Sequence, residues 1–167
     1  MEIRIAEVAD AEDITNVINA AFRRAESFFI EGDRIDSGKV CDLLKAGEFL
    51  AAFDGNTLVG CVYVERRGER AYLGLLAVDP LRQASGLGSR LMTAAEEHCK
   101  KLGCGFIDLQ IVNLRRELPE FYRRRGYVQT GTAPFTAGLA TKIPCHFVKM
   151  TKSLDGNSEV KSPKANR

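Results

Sequence analysis

The chain has 167 residues, enough for one domain with a substantial buried core. It is 45% hydrophobic and 28% charged, and its formal net charge of +2 is too small to argue for a nucleic-acid partner. No apolar run approaches the roughly 18 residues of a membrane span, and the N-terminus lacks the apolar core of a secretory signal, so neither is expected.

The pattern alternates between strand and helix periods. MEIRIAEV alternates apolar and polar residues and is predicted as a first strand. Asp10 then offers a helix N-cap, with Asp13 three residues on, and Ile14, Val17, Ile18, Ala21, Phe22 and Ala25 follow at helical spacing. A shorter helix is expected around Lys39 to Lys45, stopped by Gly47. EFLAAFD, a DGN turn and LVGCVYVERR form a predicted hairpin, and AYLGLLAV follows the turn at Gly68 as a third strand of that group. A helix is predicted from about Gly86 to Lys101, with Leu87, Leu91, Ala94, Ala95 and Leu102 on one face and Gly103 as its stop. GFIDLQIV is the next strand, and Pro119 suits the first turn of a short helix ending before Gly126. Strands near Tyr127 to Thr132 and Cys145 to Lys152 complete a mixed α/β sheet within residues 1–152, and residues 153–167 form a polar tail that is expected to be flexible.

Five cysteines, Cys41, Cys61, Cys99, Cys104 and Cys145, are an odd number without CxxC spacing. Reduced thiols in a cytoplasmic setting are expected, each acting as a small buried hydrophobe. His98 and His146 have no second ligand at metal spacing, so no metal is expected.

The stretch RQASGLGSRL, Arg82 to Leu91, places two glycines where a strand gives way to a helix. A helix start carries unpaired N–H groups and the positive end of the helix dipole, and glycines there let a phosphate approach the backbone. The stretch lacks the third glycine of GxGxxG and the GK[ST] of a P-loop, so the residues alone leave a tight turn without ligand as an equal reading.

The longer stretch LLAVDPLRQASGLGSRLM resembles the acyl-CoA-binding motif of the GNAT superfamily of N-acetyltransferases, and FYRRRGY, Phe121 to Tyr127, resembles that family's Y-x-x-x-G-F/Y segment. The resemblance implies a mostly antiparallel sheet flanked by helices, with two splayed strands, here AYLGLLAV and GFIDLQIV, holding acetyl-CoA as co-substrate. It implies main-chain contacts from Leu76, Ala77 and Val78 to the pantetheine arm, one N–H near Leu76 facing the thioester oxygen. It also implies a pyrophosphate cradle over Gln83, Ala84, Ser85, Gly86, Leu87, Gly88 and Ser89, and Tyr122 as both cofactor contact and acid for the departing thiolate. Asn113 is a further candidate cofactor contact, because Arg115 stands where many members have an asparagine.

The implied reaction is direct attack of an amine on the thioester. An alkyl ammonium with a pKa near 10.4 is almost wholly protonated at pH 7, a handicap of roughly 4 kcal/mol, so its proton needs an acceptor. The positions where some members carry a glutamate hold Gln110 and Tyr72 here. Glu65, Glu26 or a water chain remain as alternatives.

ESFFIEGDRID, Glu26 to Asp36, borders the acceptor side in such a fold, and its carboxylates Glu31, Asp33 and Asp36 would suit a cationic amine, with a solvated loop as an equal reading. PFTAGLATKI, Pro134 to Ile143, is long enough to cover that side. Arg115, Arg116, Arg123, Arg124 and Arg125 are expected on a solvated helix face balanced by Glu117 and Glu120. The acceptor is expected to be a small molecule or a protein N-terminus or lysine. No nucleic-acid or membrane partner is expected, and a homodimer is compatible with the chain. The competing expectation is an acyl-CoA-binding sensor without turnover.

Overall fold

The computed structural model describes residues 1–136 and 138–155. The elements follow in the order β1 (Glu2–Ile5), α1 (Ala11–Glu26), α2 (Ser37–Ala46), β2 (Glu48–Asp54), β3 (Thr57–Arg67), β4 (Arg70–Val78), α3 (Leu87–Lys101), β5 (Phe106–Val112), α4 (Leu118–Arg123), β6 (Val128–Pro134) and β7 (His146–Ser153). Short 3-10 turns precede α1 and α3. The strands form one seven-stranded sheet in the order β1-β2-β3-β4-β5-β7-β6. Every neighbouring pair is antiparallel except β4 with β5.

The two faces of the sheet are read directly from strand alternation. Phe49, Ala51 and Phe53 of β2 pack with Ile14, Val17, Ile18 and Ala21 of α1. Leu50 and Ala52, one residue out of phase, join Leu87, Leu91, Met92 and Ala95 of α3 on the opposite face. Both faces of β2 and β3 are therefore covered, which explains their nearly continuous apolar runs.

Several boundaries differ from the sequence reading. β1 stops at Ile5, and Asp10 does not cap α1 with its side chain. Its carboxylate instead accepts the Glu7 N–H at 2.8 Å and Arg4 Nη1 at 3.2 Å, so it closes the turn before the helix. α2 begins earlier than expected because Asp36 accepts the Lys39 N–H at 2.8 Å and sets its start. Met92 and Cys99 join the apolar face of α3. At the other end, β7 runs to Ser153, and buried Leu154 donates its N–H to Gly105. The ordered core thus passes residue 152, and the rest of the polar tail from residue 156 lies outside the described residues.

Gly47 closes α2 against β3, and a Cβ there would lie 2.5 Å from the Val64 carbonyl oxygen and 2.7 Å from Tyr63 Oη. Gly47→Ala is expected to destabilise the fold by about 1–3 kcal/mol through overpacking, read as a lower denaturant midpoint with unchanged m.

The parallel pair is what opens the sheet. β4 and β5 are in register only at Arg70, Ala71 and Tyr72 opposite Phe106, Ile107 and Asp108. Arg70 clamps this short ladder with two hydrogen bonds to Asp108, at 2.6 and 2.7 Å. Beyond Tyr72 the strands part, and β5 keeps its full pairing with β7 on its other side. On the β3 side, the register jumps from Cys61↔Ala77 to Tyr63↔Gly74, so β4 bulges at Leu75 and Leu76. Leu75 has φ 53°, a left-handed conformation that costs a leucine about 1–3 kcal/mol and that tends to occur where backbone is re-aimed at a site.

Candidate active site

The gap between β4 and β5 opens into a cavity of about 770 Å³. One wall is Leu73 to Val78 of β4, and the other is Leu109 to Val112 of β5. Leu76, Ala77 and Val78 thus line it. Among the described residues, no strand pairs with this half of β4 on the β5 side, so main-chain groups there are available to an extended ligand arm.

At the open end of the gap the chain passes through the loop before α3. Ala84 and Gly86 both have left-handed φ, 69° and 82°. Such turns aim successive N–H groups at one point and add to the helix N-terminus as an anion cradle. The loop is fixed by its own polar groups: Gln83 Nε2 donates to the Val78 carbonyl at 3.1 Å, and Ser85 Oγ donates to the Arg82 carbonyl at 2.6 Å. Gln83, Ala84, Gly86, Leu87, Gly88 and Ser89 line the cavity, whereas Ser85 turns to its internal bond. A Cβ on Gly88 would meet only Val78 Cγ2, at 4.0 Å, so the space beside that residue is open. The gap and this cradle fit an acyl thioester on a long arm ending in phosphates.

Tyr122 faces the cavity from α4. It is buried, and its ring packs edge-on against Phe121 at 5.0 Å and Tyr127 at 5.6 Å. Its hydroxyl has no hydrogen-bond partner among the described residues. Burial pushes its pKa up to about 12, so the phenol stays protonated across the neutral range. Tyr127 is braced in turn, donating to Glu96 at 2.9 Å, and Arg125 and Lys152 hold the same carboxylate at 3.2 and 3.1 Å. This bracing behind Tyr122 was not read from the sequence, although the period of α3 places Glu96 beside its apolar face.

The carboxylate alternatives separate cleanly. Glu65 does not line the cavity. Burial raises its pKa, but hydrogen bonds from Tyr63 at 2.8 Å and Arg67 at 2.9 Å outweigh that and hold it low. Glu26, at the last turn of α1, lines the cavity and is 4% exposed. Burial raises its pKa despite an ion pair with Arg115 at 2.9 Å and the nearby positive charge of Arg34. Tyr72 and Gln110 also line the cavity, with Tyr72 at the closed end of the gap where the ladder stops.

Asn113 is placed differently from expectation. Its side-chain oxygen accepts the His146 N–H at 2.8 Å, and its own N–H donates to the His146 carbonyl at 2.9 Å. It closes the end of β5 on β7 and is not among the residues lining the cavity, whereas Arg115 is. The arginine cluster also divides. Arg123 and Arg124 are exposed and pair with Glu120, as anticipated. Arg115 and Arg125 are mostly buried and hold Glu26, Glu117 and Glu96.

The segment between α1 and α2 does not present carboxylates to the cavity. Asp33 pairs with Arg23 at 2.6 Å, Asp36 caps α2, and neither lines the cavity, nor does Glu31. Arg34 does line it, held at its backbone by Asn19, whose oxygen accepts the N–H groups of Arg34 and Ile35 at 2.9 and 3.0 Å. A buried asparagine on the apolar face of α1 was the available signal for this clamp. The β6–β7 connection meets the same segment. Ile30 bridges Thr141, and Lys142 donates to the Phe29 and Ser27 carbonyls, both at 2.8 Å. Ala137, within that connection, lies outside the described residues.

No helix among the described residues is long and apolar enough to cross a membrane, and no group of three metal-ligating side chains occurs among them.

Solved structures share this architecture. The ribosomal-protein-S18-alanine N-acetyltransferase from Escherichia coli superposes with a TM-score of 0.74 at 14% identity, covering 97% of each chain. The yncA protein from Salmonella typhimurium, solved with its cofactor acetyl-CoA, gives 0.72 at 18% identity, covering 99% of this chain and 98% of that one. An aminoglycoside 6'-N-acetyltransferase complexed with coenzyme A gives 0.72 at 19%, covering 98% and 99%. At these identities the likeness establishes the fold. No curated protein sequence matches the chain. The model of the acetyltransferase (GNAT) family matches residues 11–127, from the start of α1 through Tyr127. With most of the chain matched and the gap, cradle and α4 in place, this protein is a member of the GNAT family, an N-acetyltransferase that depends on acetyl-CoA.

Proposed function

We propose that the protein acetylates a primary amine by direct attack on the thioester, with Tyr122 as acid and Glu26 as proton acceptor. One observation carries this reading: an unpartnered, protonated phenol and a buried carboxylate line the same cavity, at the gap where β4 leaves β5. Acetyl-CoA supplies an activated acetyl group. The cradle at Ala84 to Ser89 holds its phosphates through N–H groups and the dipole of α3. The free edge of β4 at Leu76 to Val78 pairs with its arm and directs an N–H at the thioester oxygen, where negative charge grows in the transition state. The Tyr122 hydroxyl donates to the sulfur as it leaves. Glu26 takes the ammonium proton, directly or through one water, and Arg115 stabilises the carboxylate between turnovers.

The pH profile tests the base. Only ionised Glu26 accepts a proton, so kcat/KM should rise with pH through an apparent pKa above the usual carboxylate range, because burial raises that pKa. Above that rise the profile should stay level until the acceptor amine loses its own proton. Glu26→Gln should remove the lower rise, lower the rate by about 10²-fold and make the residual rate follow the acceptor's free-base fraction. A lower limb that persists in Glu26→Gln rules out this base.

A further inference from the structure

We infer that the acceptor is a small amine that also carries an oxyanion, of the amino-acid type, and that Arg34 binds that group. The inference rests on the acetyl-transfer reading above and concerns what lies opposite the thioester.

Two cationic side chains that line the cavity, Arg24 and Arg34, have no hydrogen bond or ion pair among the described residues; Arg24 is exposed to solvent, whereas Arg34 is half-buried. Its buried Nε has no partner, and among the described residues its guanidinium makes no hydrogen bond and no ion pair. By contrast Arg115, on the same cavity, is held by Glu26 at 2.9 Å and Glu117 at 2.8 Å. Arg82, at the cradle end, is held by Asp54 at 2.6 Å. A buried guanidinium nitrogen without an acceptor is costly unless a ligand supplies one, and a carboxylate matches its fork.

The guanidinium is also held in place. Asn19 fixes the Arg34 backbone to α1, and Phe22 lies under the charge with its ring centroid 5.2 Å from Cζ. Its position assigns it to the acceptor and not to the phosphates. Arg34 lies close enough to Glu26 and Tyr72 to pull both their pKa values down against burial. Tyr72 marks the closed end of the gap, whereas the cradle begins beyond Val78, a span that matches five residues of β3, about 16 Å at strand rise. Arg34, Glu26 and Tyr72 line the same cavity, so an oxyanion on Arg34 and an amine delivering its proton to Glu26 fit on one small molecule. Tyr72 and Phe22 give its side chain an aromatic wall.

The test compares matched acceptors: L-amino acids, their α-carboxamides and the decarboxylated amines. Binding to the CoA-loaded protein is measured by titration calorimetry, and turnover with acetyl-CoA by thiol release. Amino acids should bind at least about 10-fold tighter than their amides, the range expected for one charge-assisted contact. Arg34→Gln should raise Kd for the acids by about 10- to 100-fold, leave Kd for the amides unchanged, and leave CoA affinity intact. Arg34→Lys should restore part of the preference. Aminophosphonates in place of the acids distinguish a general oxyanion site from one shaped for carboxylate. Equal use of acids and amides, insensitive to Arg34→Gln, overturns the inference and leaves acetyl transfer standing. So does a protein that binds acetyl-CoA yet neither binds nor acetylates any member of the panel. Failure to bind acetyl-CoA at all overturns the reading beneath it.

Discussion

Tyr122→Phe is expected to lower kcat by about 10²-fold with little change in acetyl-CoA affinity. The substitution keeps the ring and its edge-on contacts with Phe121 and Tyr127, so the packing of α4 is preserved. It removes a hydroxyl that makes no hydrogen bond among the described residues. Like any phenol it is protonated near neutral pH, and burial pushes its pKa further up, to about 12. The charge on sulfur exists only as the C–S bond breaks, so the hydrogen bond is stronger in the transition state than with bound thioester, and only that difference speeds the reaction. Single-turnover measurement, where chemistry limits the rate, is the check. A full kcat in a correctly folded Tyr122→Phe would reduce Tyr122 to a packing residue. An absence of turnover in both forms, with equal acetyl-CoA binding, would favour a sensor over an enzyme.

Gly88→Val is expected to weaken CoA binding by at least about 10-fold while the fold survives, since each charge-assisted contact to phosphate contributes about that much. The structure separates this position from Gly86. Gly86 has φ 82°, so any side chain there strains the backbone and lowers stability along with affinity. Gly88 is helical and its Cβ would enter open space beside Val78, the space a phosphate needs. Calorimetry with CoA, paired with a thermal melt, distinguishes the two. Unchanged affinity in a folded Gly88→Val would remove the phosphate cradle from the mechanism.

Much of this was legible because strong local signals coincide with the elements that build the site. Apolar period, the DGN turn and Pro119 mark the strands and helices, and the two glycines mark the cradle. What stayed hidden depends on contacts between residues far apart in the chain. Asp10, Asp33 and Asp36 are all acidic residues near helix starts, and sequence cannot say which of them close turns, pair with arginine or face a ligand. Asn113 and Arg115 are two residues apart, yet one closes β5 on β7 and the other turns into the cavity. Glu26 and Glu65 were equal candidates until burial and partners separated them. The bulge at Leu75 leaves no composition signal, because the left-handed residue there is a leucine and not a glycine.

The three-residue ladder between β4 and β5 has a consequence for how long the protein lasts. The sheet is two blocks, β1–β4 and β5–β7 with β6 outermost, joined along a seam that strand pairing closes at one end only. A ligand lying in that seam touches both blocks and binds only when they are assembled. Its concentration therefore enters the folding equilibrium: at a hundred times Kd it adds about 2.7 kcal/mol to stability. Saturating CoA is therefore expected to raise the melting temperature and to slow proteolysis at the seam, which a thermal melt and a protease time course with and without CoA check.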